Sequence, residues 1–302
     1  MKIERINQEY IDRFTNDEYP IKVTKEKLLD FVTYTNHIDR PKEERVLVLA
    51  LDIGTHEFEN GWKDVQLLYD YSLEHCKKEE RFDYLIDWIV SALYWYNDYA
   101  TDLYKDRVEI ANACLLKLEE AIDLEPNKAS INHLFGIFYY DHPSMEEAVD
   151  HKVLKKAVSY FLKAFEIDSL KYISCFFAAH CYHDMKDWEK AKTYYEKIDK
   201  EFFIRKNPHW EWRIWKLEEQ ICLCYAMTGD IEQSKTYFKT FLSKIEEMND
   251  EDFDDLIVNF DESVQLVLKI KDDSLTKRLL DMVISKGYKK RYETEIKQLQ
   301  AN

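Results

Sequence analysis

Five glycines and five prolines in a chain of 302 residues leave few places where the backbone can turn sharply. A sheet-rich protein of this length needs many tight turns, and tight turns consume both residues. Their scarcity points to long helices joined by short polar loops. Hydrophobic residues make up 46% of the chain and aromatic residues 15%, enough to bury a continuous core and to exclude disorder. The expectation is an all-α protein.

Charge narrows the partners. Lys and Arg number 43 against 59 Asp and Glu, a net charge of −16. Such a surface repels nucleic acid and anionic membranes, both of which need Lys and Arg to neutralise phosphate. It attracts a basic protein and speeds the encounter, and it also keeps a protein soluble. The six cysteines, Cys76, Cys114, Cys175, Cys181, Cys222 and Cys224, form no C-x-x-C pair and complete no zinc pattern with histidine. The start, MKIERINQEY, lacks an apolar export segment, and no later run is long and apolar enough to span a bilayer. A reducing cytoplasm is the expected location.

An internal register supplies the next constraint. The segment Ala113–Asn127, ACLLKLEEAIDLEPN, sets small, large and small residues at a spacing of four and three. The pattern recurs in KKAVSYFLKAFEIDS (Lys155–Ser169) and EKAKTYYEKID (Glu189–Asp199), and more weakly in EQSKTYFKTFLSK (Glu232–Lys244). The first small slot holds Cys114, Ala157, Ala191 and Ser234, and the large slot Leu118, Phe161, Tyr195 and Phe238. The third slot holds Ala121, Ala164, Ile198 and Phe241. Preceding helices agree: a small slot with Ala92, Gly136, Ala179 and Cys222 is followed by the aromatics Trp95, Tyr139, Tyr182 and Tyr225. A small residue lets two helix backbones approach, and the aromatic fills the space beside it.

This register resembles the tetratricopeptide repeat over Phe82–Lys244, and 34 residues, the period of that family, separate Ala164 from Ile198. Extra residues fall near Tyr96–Lys105, Asp141–Lys152 and Glu201–Trp210, between helices, where a repeat array tolerates them. The first-helix tryptophan of the family stands only at Trp88; Asn132, Cys175 and Glu218 replace it later. The resemblance implies a right-handed α-solenoid in one continuous superhelix. It would have an N-terminal helical cap over 1–80, four degenerate repeats over 81–248 and a C-terminal helical cap over 249–302. The leading helices are expected at Thr24–Ile38 with a Thr cap, after Pro41 up to Gly54, and along Trp62, Val65, Leu68, Tyr69, Leu73 and Cys76. The closing ones are expected at Asp250–Lys271, Ser274–Ser285 and Lys289–Gln300.

In this family the inward positions of the first helices line a concave binding face. Carried over, they include Ile86, Ile89, Leu93, Tyr96 and Asn97, then Ser130, His133, Ile137, Tyr140 and Asp141. Next come Ile173, Phe176, His180, His183 and Asp184, then Lys216, Glu219, Leu223, Ala226 and Met227. The partner-binding candidates are Tyr96, Asn97, His133, Tyr140, Asp141, Phe176, His180, His183, Asp184 and Glu219. An apolar, aromatic groove suits an inserted side chain or helix; the same residues also suit a closed core. Relatives that clamp a C-terminal carboxylate use Lys, Arg and Asn at these positions, and here only Lys216 and Asn97 remain, which disfavours that ligand.

Four histidines, His133, His142, His180 and His183, with Asp141 and Asp184, could be read as a metal site, but no H-E-x-x-H accompanies them and neutral polar groove residues give the same pattern. VLVLALDIGT (Val46–Thr55) mimics the strand and phosphate loop of actin-like ATPases, yet the further Gly-rich loops that fold needs are missing, and a buried helix ending at Gly54 fits the same residues. Asn207–Trp215, NPHWEWRIW, places three tryptophans where repeats would pack or a partner would dock. Glu246–Asp255 holds seven carboxylates in ten residues, a solvated turn or a docking edge for a basic partner. No nucleophile triad, P-loop or dinucleotide fingerprint appears, so no catalytic residue, metal or cofactor is assigned. The expected function is binding of a protein or peptide. A cytosolic inhibitor, such as an immunity protein against a basic toxin enzyme, and a general adaptor or regulatory scaffold both remain open. An enzyme using the His/Asp groove is the outside reading.

Overall fold

The computed structural model describes residues 8–15, 20–53, 58–95, 104–141, 150–206, 208, 211–247, 260–287 and 290–300. Among them are sixteen α-helices, one 3-10 turn and no strand; a single isolated bridge joins Ile21 and Phe58. The protein is all-α, as the lack of turn residues predicts. The chain divides into two compact units, Met1–Ala148 and Val149–Asn302.

The first unit contains α1 (Gln8–Thr15), α2 (Lys25–Tyr34), α3 (Lys42–Ile53), α4 (Trp62–His75), α5 (Arg81–Tyr94), α6 (Tyr104–Leu124) and α7 (Ala129–Tyr140). Thr24 caps α2 as expected, its hydroxyl accepting from the Lys27 amide at 3.1 Å. Val46, Leu47, Val48, Leu49 and Ala50 in α3 are all buried. Neighbours all round the helix explain why the run reads as apolar throughout. That run is helix, so the ATPase strand does not exist; Gly54 lies outside the described residues. The apolar face traced for α4 is buried at Trp62, Val65, Leu68, Tyr69 and Leu73, with Cys76 half-buried. Trp88 packs edge-on against Trp62 at 5.2 Å, and its indole N–H donates to Asp70 at 3.1 Å.

The second unit contains α8 (His151–Ile167), α9 (Tyr172–Asp184), α10 (Trp188–Tyr195), α11 (Lys200–Lys206), α12 (Glu211–Thr228), α13 (Ile231–Glu246), α14 (Phe260–Ile270), α15 (Asp273–Ser285) and α16 (Glu293–Gln300). Two departures from expectation stand out. The stretch read as an insertion near Glu201 holds α11, whose Phe203 is buried against Phe176. In the first unit α6 starts well before Ala113, taking up residues also read as an insertion.

The register itself is seen in the packing. Cys114, Leu118 and Ala121 are at most 1% exposed, and Ala157, Phe161, Ala164, Ala191, Tyr195, Ser234 and Phe238 are fully covered, with Ile198 and Phe241 nearly so. In the preceding helices Ala92, Ala179 and Cys222 are fully covered and Gly136 is buried. These are tetratricopeptide-like helix pairs. Local structure repeats with them. After α9, the Lys186 amide donates to the His183 carbonyl and the Asp187 amide to the Tyr182 carbonyl, at 2.8 and 2.9 Å. After α12, Gly229 and Asp230 do the same to Ala226 and Tyr225, at 3.3 and 2.9 Å. Both are helix-ending turns that need one left-handed residue: Lys186 at φ 60° and Gly229 at φ 94°. Asp187 and Asp230 then cap α10 and α13. Beside each turn the register aromatic stacks on a tyrosine of the following helix, Tyr182 on Tyr194 at 5.5 Å and Tyr225 on Tyr237 at 5.4 Å.

Two substitutions test this reading in opposite directions. Ala179→Leu should overpack the crossing and destabilise the protein by about 1–3 kcal/mol. Lys186→Gly should relieve the left-handed strain and stabilise it by about 0.5–1 kcal/mol, after the flexibility glycine adds to the unfolded chain. Thermal unfolding followed by circular dichroism reads both; a harmless Ala179→Leu would overturn the register.

Candidate functional site

Three helices of the second unit meet over the inward face of α9. Phe176, His180 and His183 share one side of that helix by their spacing of four and three. From α12 come Lys216, Glu219 and Gln220, and from α14 Glu262 and Ser263. Lys216, Glu219, Gln220, Ser263 and His183 are all buried, an unusual density of polar side chains for a small core.

Their contacts form one network. Glu262 reaches His183 through Oε1, 3.3 Å from Nε2, and lies 3.6 Å from the Lys216 ammonium through Oε2. Lys216 also pairs with Glu219, which accepts from the Ser263 hydroxyl. Gln220 Nε2 lies 3.4 Å from His180 Nδ1. The rings close the remaining sides: His180 stands edge-on to Phe176 at 4.4 Å and to Tyr195 at 5.7 Å, and His183 to Trp188 at 4.9 Å.

Electrostatics follow from burial and pairing. Burial works to lower the Lys216 ammonium, but Glu219 and Glu262 outweigh it and hold its pKa above the ordinary value. Burial raises Glu219 despite Lys216. For Glu262 burial pushes up, while His183 and Lys216 together prevail and hold it down. His180 is pushed down to about 3, first by burial and then by its neighbours His183 and Arg213, so it is neutral near pH 7. The buried thiols Cys114, Cys175, Cys222 and Cys224 are inert by the same reasoning; burial raises all four, Cys175 and Cys224 to about 12.

The positions expected to line an open groove are thus differently placed. Phe176, His183 and Glu219 are buried inside their own unit, because α12 and α14 bring polar partners directly onto the inward face of α9. His180 and Asp184 are half-buried. In the first unit His133 and Tyr140 on α7, with Asp141 after it, are half-buried too. Tyr96 and Asn97 lie outside the described residues, as does His142. Among the described residues no group of three or more His, Cys, Asp or Glu is placed to hold a metal ion. Of the tryptophan cluster, Trp215 is half-buried and packs on the C-terminal core, which is the packing role; Trp210 and the side chain of Trp212 lie outside the described residues. Glu246, at the head of the acidic run, is held by Arg278 at 2.5 and 2.6 Å. Glu262 and Ser263 were not anticipated; the one signal was a carboxylate beside the apolar face of a closing helix.

No helix among the described residues is long and apolar enough to cross a membrane. No family model and no curated protein matches the chain. Among solved structures it is similar to MamA, at 18% identity over 67% of this chain and 93% of that one, with a TM-score of 0.44. It is also similar to TTC0263, a thermophilic TPR protein of Thermus thermophilus, at 11% identity over 76% of this chain and 100% of that one, with a TM-score of 0.42.

The state of His180 gives a pH test. The folded imidazole stays neutral down to about pH 3, whereas the unfolded one takes a proton near pH 6.5. Between those values the unfolded state binds more protons, so stability falls as pH falls, by up to about 1.4 kcal/mol per unit. Below roughly pH 4.5 loss of the Glu262 charge acts in the same direction, whereas Glu219, whose folded pKa is raised, opposes the slope above that pH. Urea unfolding from pH 7 to 4 should show this slope, and His180→Asn should flatten it above pH 5. An unchanged slope in that variant would assign the effect elsewhere.

Proposed function

We propose that this chain binds a protein or peptide partner through its tetratricopeptide-like helix pairs and is not an enzyme. The observation that carries the reading is the register of buried small and large slots, together with a net charge of −16. Helix pairs locked at their crossings present fixed faces, which lowers the cost of ordering a surface for binding. The charged groups of the second unit pair with one another, Lys216 with Glu219 and Glu262, and Glu262 with His183, while His183 Nδ1, Gln220 Oε1 and Glu262 Oε2 are buried without a hydrogen-bond partner among the described residues. Each unit supplies its own contact residues: half-buried His133, Tyr140 and Asp141, with Tyr96 and Asn97, in the first, and half-buried His180 and Asp184 in the second. Phe176, His183 and Glu219 support the latter from beneath. The proposal keeps the organisation of N-terminal cap over 1–80, repeats over 81–248 and C-terminal cap over 249–302, and a cytoplasmic location without cofactor.

Acidity favours a basic partner. An inhibitor of a basic toxin enzyme is the sharper version of the proposal, and an adaptor or regulatory scaffold the broader one; charge alone favours the first. The test is affinity purification from the native host, followed by binding kinetics at two salt concentrations. Tyr140→Ala should cost about 2 kcal/mol of binding while leaving the melting transition nearly intact. Phe176→Ala should instead destabilise the fold by about 3–5 kcal/mol, as a core residue does. Neutralising Glu246–Asp255 should slow association and weaken its salt dependence. Normal binding by Tyr140→Ala, with a salt-independent association rate, would sink this reading.

A further inference from the structure

The negative charge is not spread evenly along the chain. Residues 1–148 carry 17 Lys and Arg against 31 Asp and Glu, a net −14. Residues 149–302 carry 26 against 28, a net −2. Nearly all of the protein's net negative charge therefore belongs to the first unit, while the second carries its acidity locally, in Glu246–Asp255.

The first unit also contains an apolar hollow. It lies between the first half of α2 and the second half of α4, with a volume of about 340 Å³. Its floor is Val23 and Leu28, both buried, and its walls are Leu29 and Leu67, which are 59% and 39% exposed. Two leucines facing one hollow from two helices form a wall that water wets poorly. At the α4 end Tyr71 stacks on His75 at 4.1 Å, beside Asp70 and Glu74. Asp70 is already engaged, accepting from Trp88 and facing Lys117 at 3.6 Å. Glu74 is exposed and has no ion-pair partner among the described residues. Lys25, also exposed, stands on the α2 rim.

Resting on the reading that this chain binds a basic protein, we propose that the α2–α4 hollow is the anchoring site for an amphipathic helix of that partner. Two apolar residues one turn apart on the helix insert between Leu29 and Leu67, and a Lys or Arg beside them meets Glu74. A second copy of this chain is a poor occupant, because docking there would bring two units of net −14 together. The site is separate from the first-helix face of α7, and a partner of sufficient size engages both.

The test uses the full chain and a synthetic amphipathic helix with leucines on one side and lysines on the other, followed by fluorescence anisotropy. The double variant Leu29→Ser/Leu67→Ser should weaken this peptide about tenfold or more, with unchanged melting because both side chains are exposed. Glu74→Lys should weaken it and reduce its salt dependence. The same peptide with glutamate for lysine, or serine for leucine, should not bind. Equal binding by the double variant, or equal binding of the glutamate peptide, overturns the proposal. So does a dimer that the double variant turns into monomer in light scattering, since the occupant is then another copy. The purified native partner separates this inference from the broader reading. Loss of partner with Tyr140→Ala but not with Leu29→Ser/Leu67→Ser refutes the hollow alone, whereas a partner indifferent to both refutes the helix-pair binding surface itself.

Discussion

The close approach of paired helices is the constraint on which the rest of this structure depends. It is set by residues no larger than alanine, cysteine or serine at the crossings: Ala157, Ala179, Ala191, Cys222 and Ser234 in the second unit, and Ala92, Cys114 and Gly136 in the first. With backbones that near, the large slot four residues on has only one space to fill, and Leu118, Phe161, Tyr195 and Phe238 are fully covered as a result. The Cys222 thiol shows how tight the fit is. It donates to the carbonyl of Ser234 at 2.9 Å, while the Ser234 hydroxyl donates back to the Cys222 carbonyl at 2.9 Å. A small polar residue fits this slot because the neighbouring helix supplies its hydrogen-bond partner.

The same packing explains the polar network of the second unit. Once α12 and α14 lie against α9, side chains that would face solvent on a lone helix pair become buried, and each must find a partner. Lys216 between Glu219 and Glu262, Ser263 on Glu219, and His183 on Glu262 meet that requirement in part, and His183 Nδ1 and Gln220 Oε1 are left buried without a hydrogen bond among the described residues. Removing one member leaves a buried charge uncompensated, typically at a cost of about 3–5 kcal/mol, although an apolar replacement of the whole set could be as stable. The network is therefore weak evidence for added stability.

Charge and packing are divided between the two units. The first carries nearly all the net negative charge and an apolar hollow with exposed leucines; the second carries the dense polar core and is almost neutral. A field that steers a partner is most useful on the unit that also offers an apolar anchor, since steering raises the encounter rate while buried apolar area slows release.

Sequence by itself determined the helix class, the register and the Thr24 cap. These are local properties: the scarcity of Gly and Pro, the four-and-three spacing of small and large residues, and Thr24 where a helix begins. The caps Asp187 and Asp230 and the left-handed turns before them, at Lys186 and Gly229, came from the structure, and lysine gives no hint of positive φ. Tertiary structure alone decided the fate of the inward positions. Phe176, His183 and Glu219 satisfy a groove pattern and a core pattern equally well, since both demand the same side of a helix. The choice fell to what packs on that side, and Glu262 and Ser263 come from a helix more than forty residues beyond Glu219. Such a contact has no local signature, because the chain between them carries no record of which face the closing helix will cover.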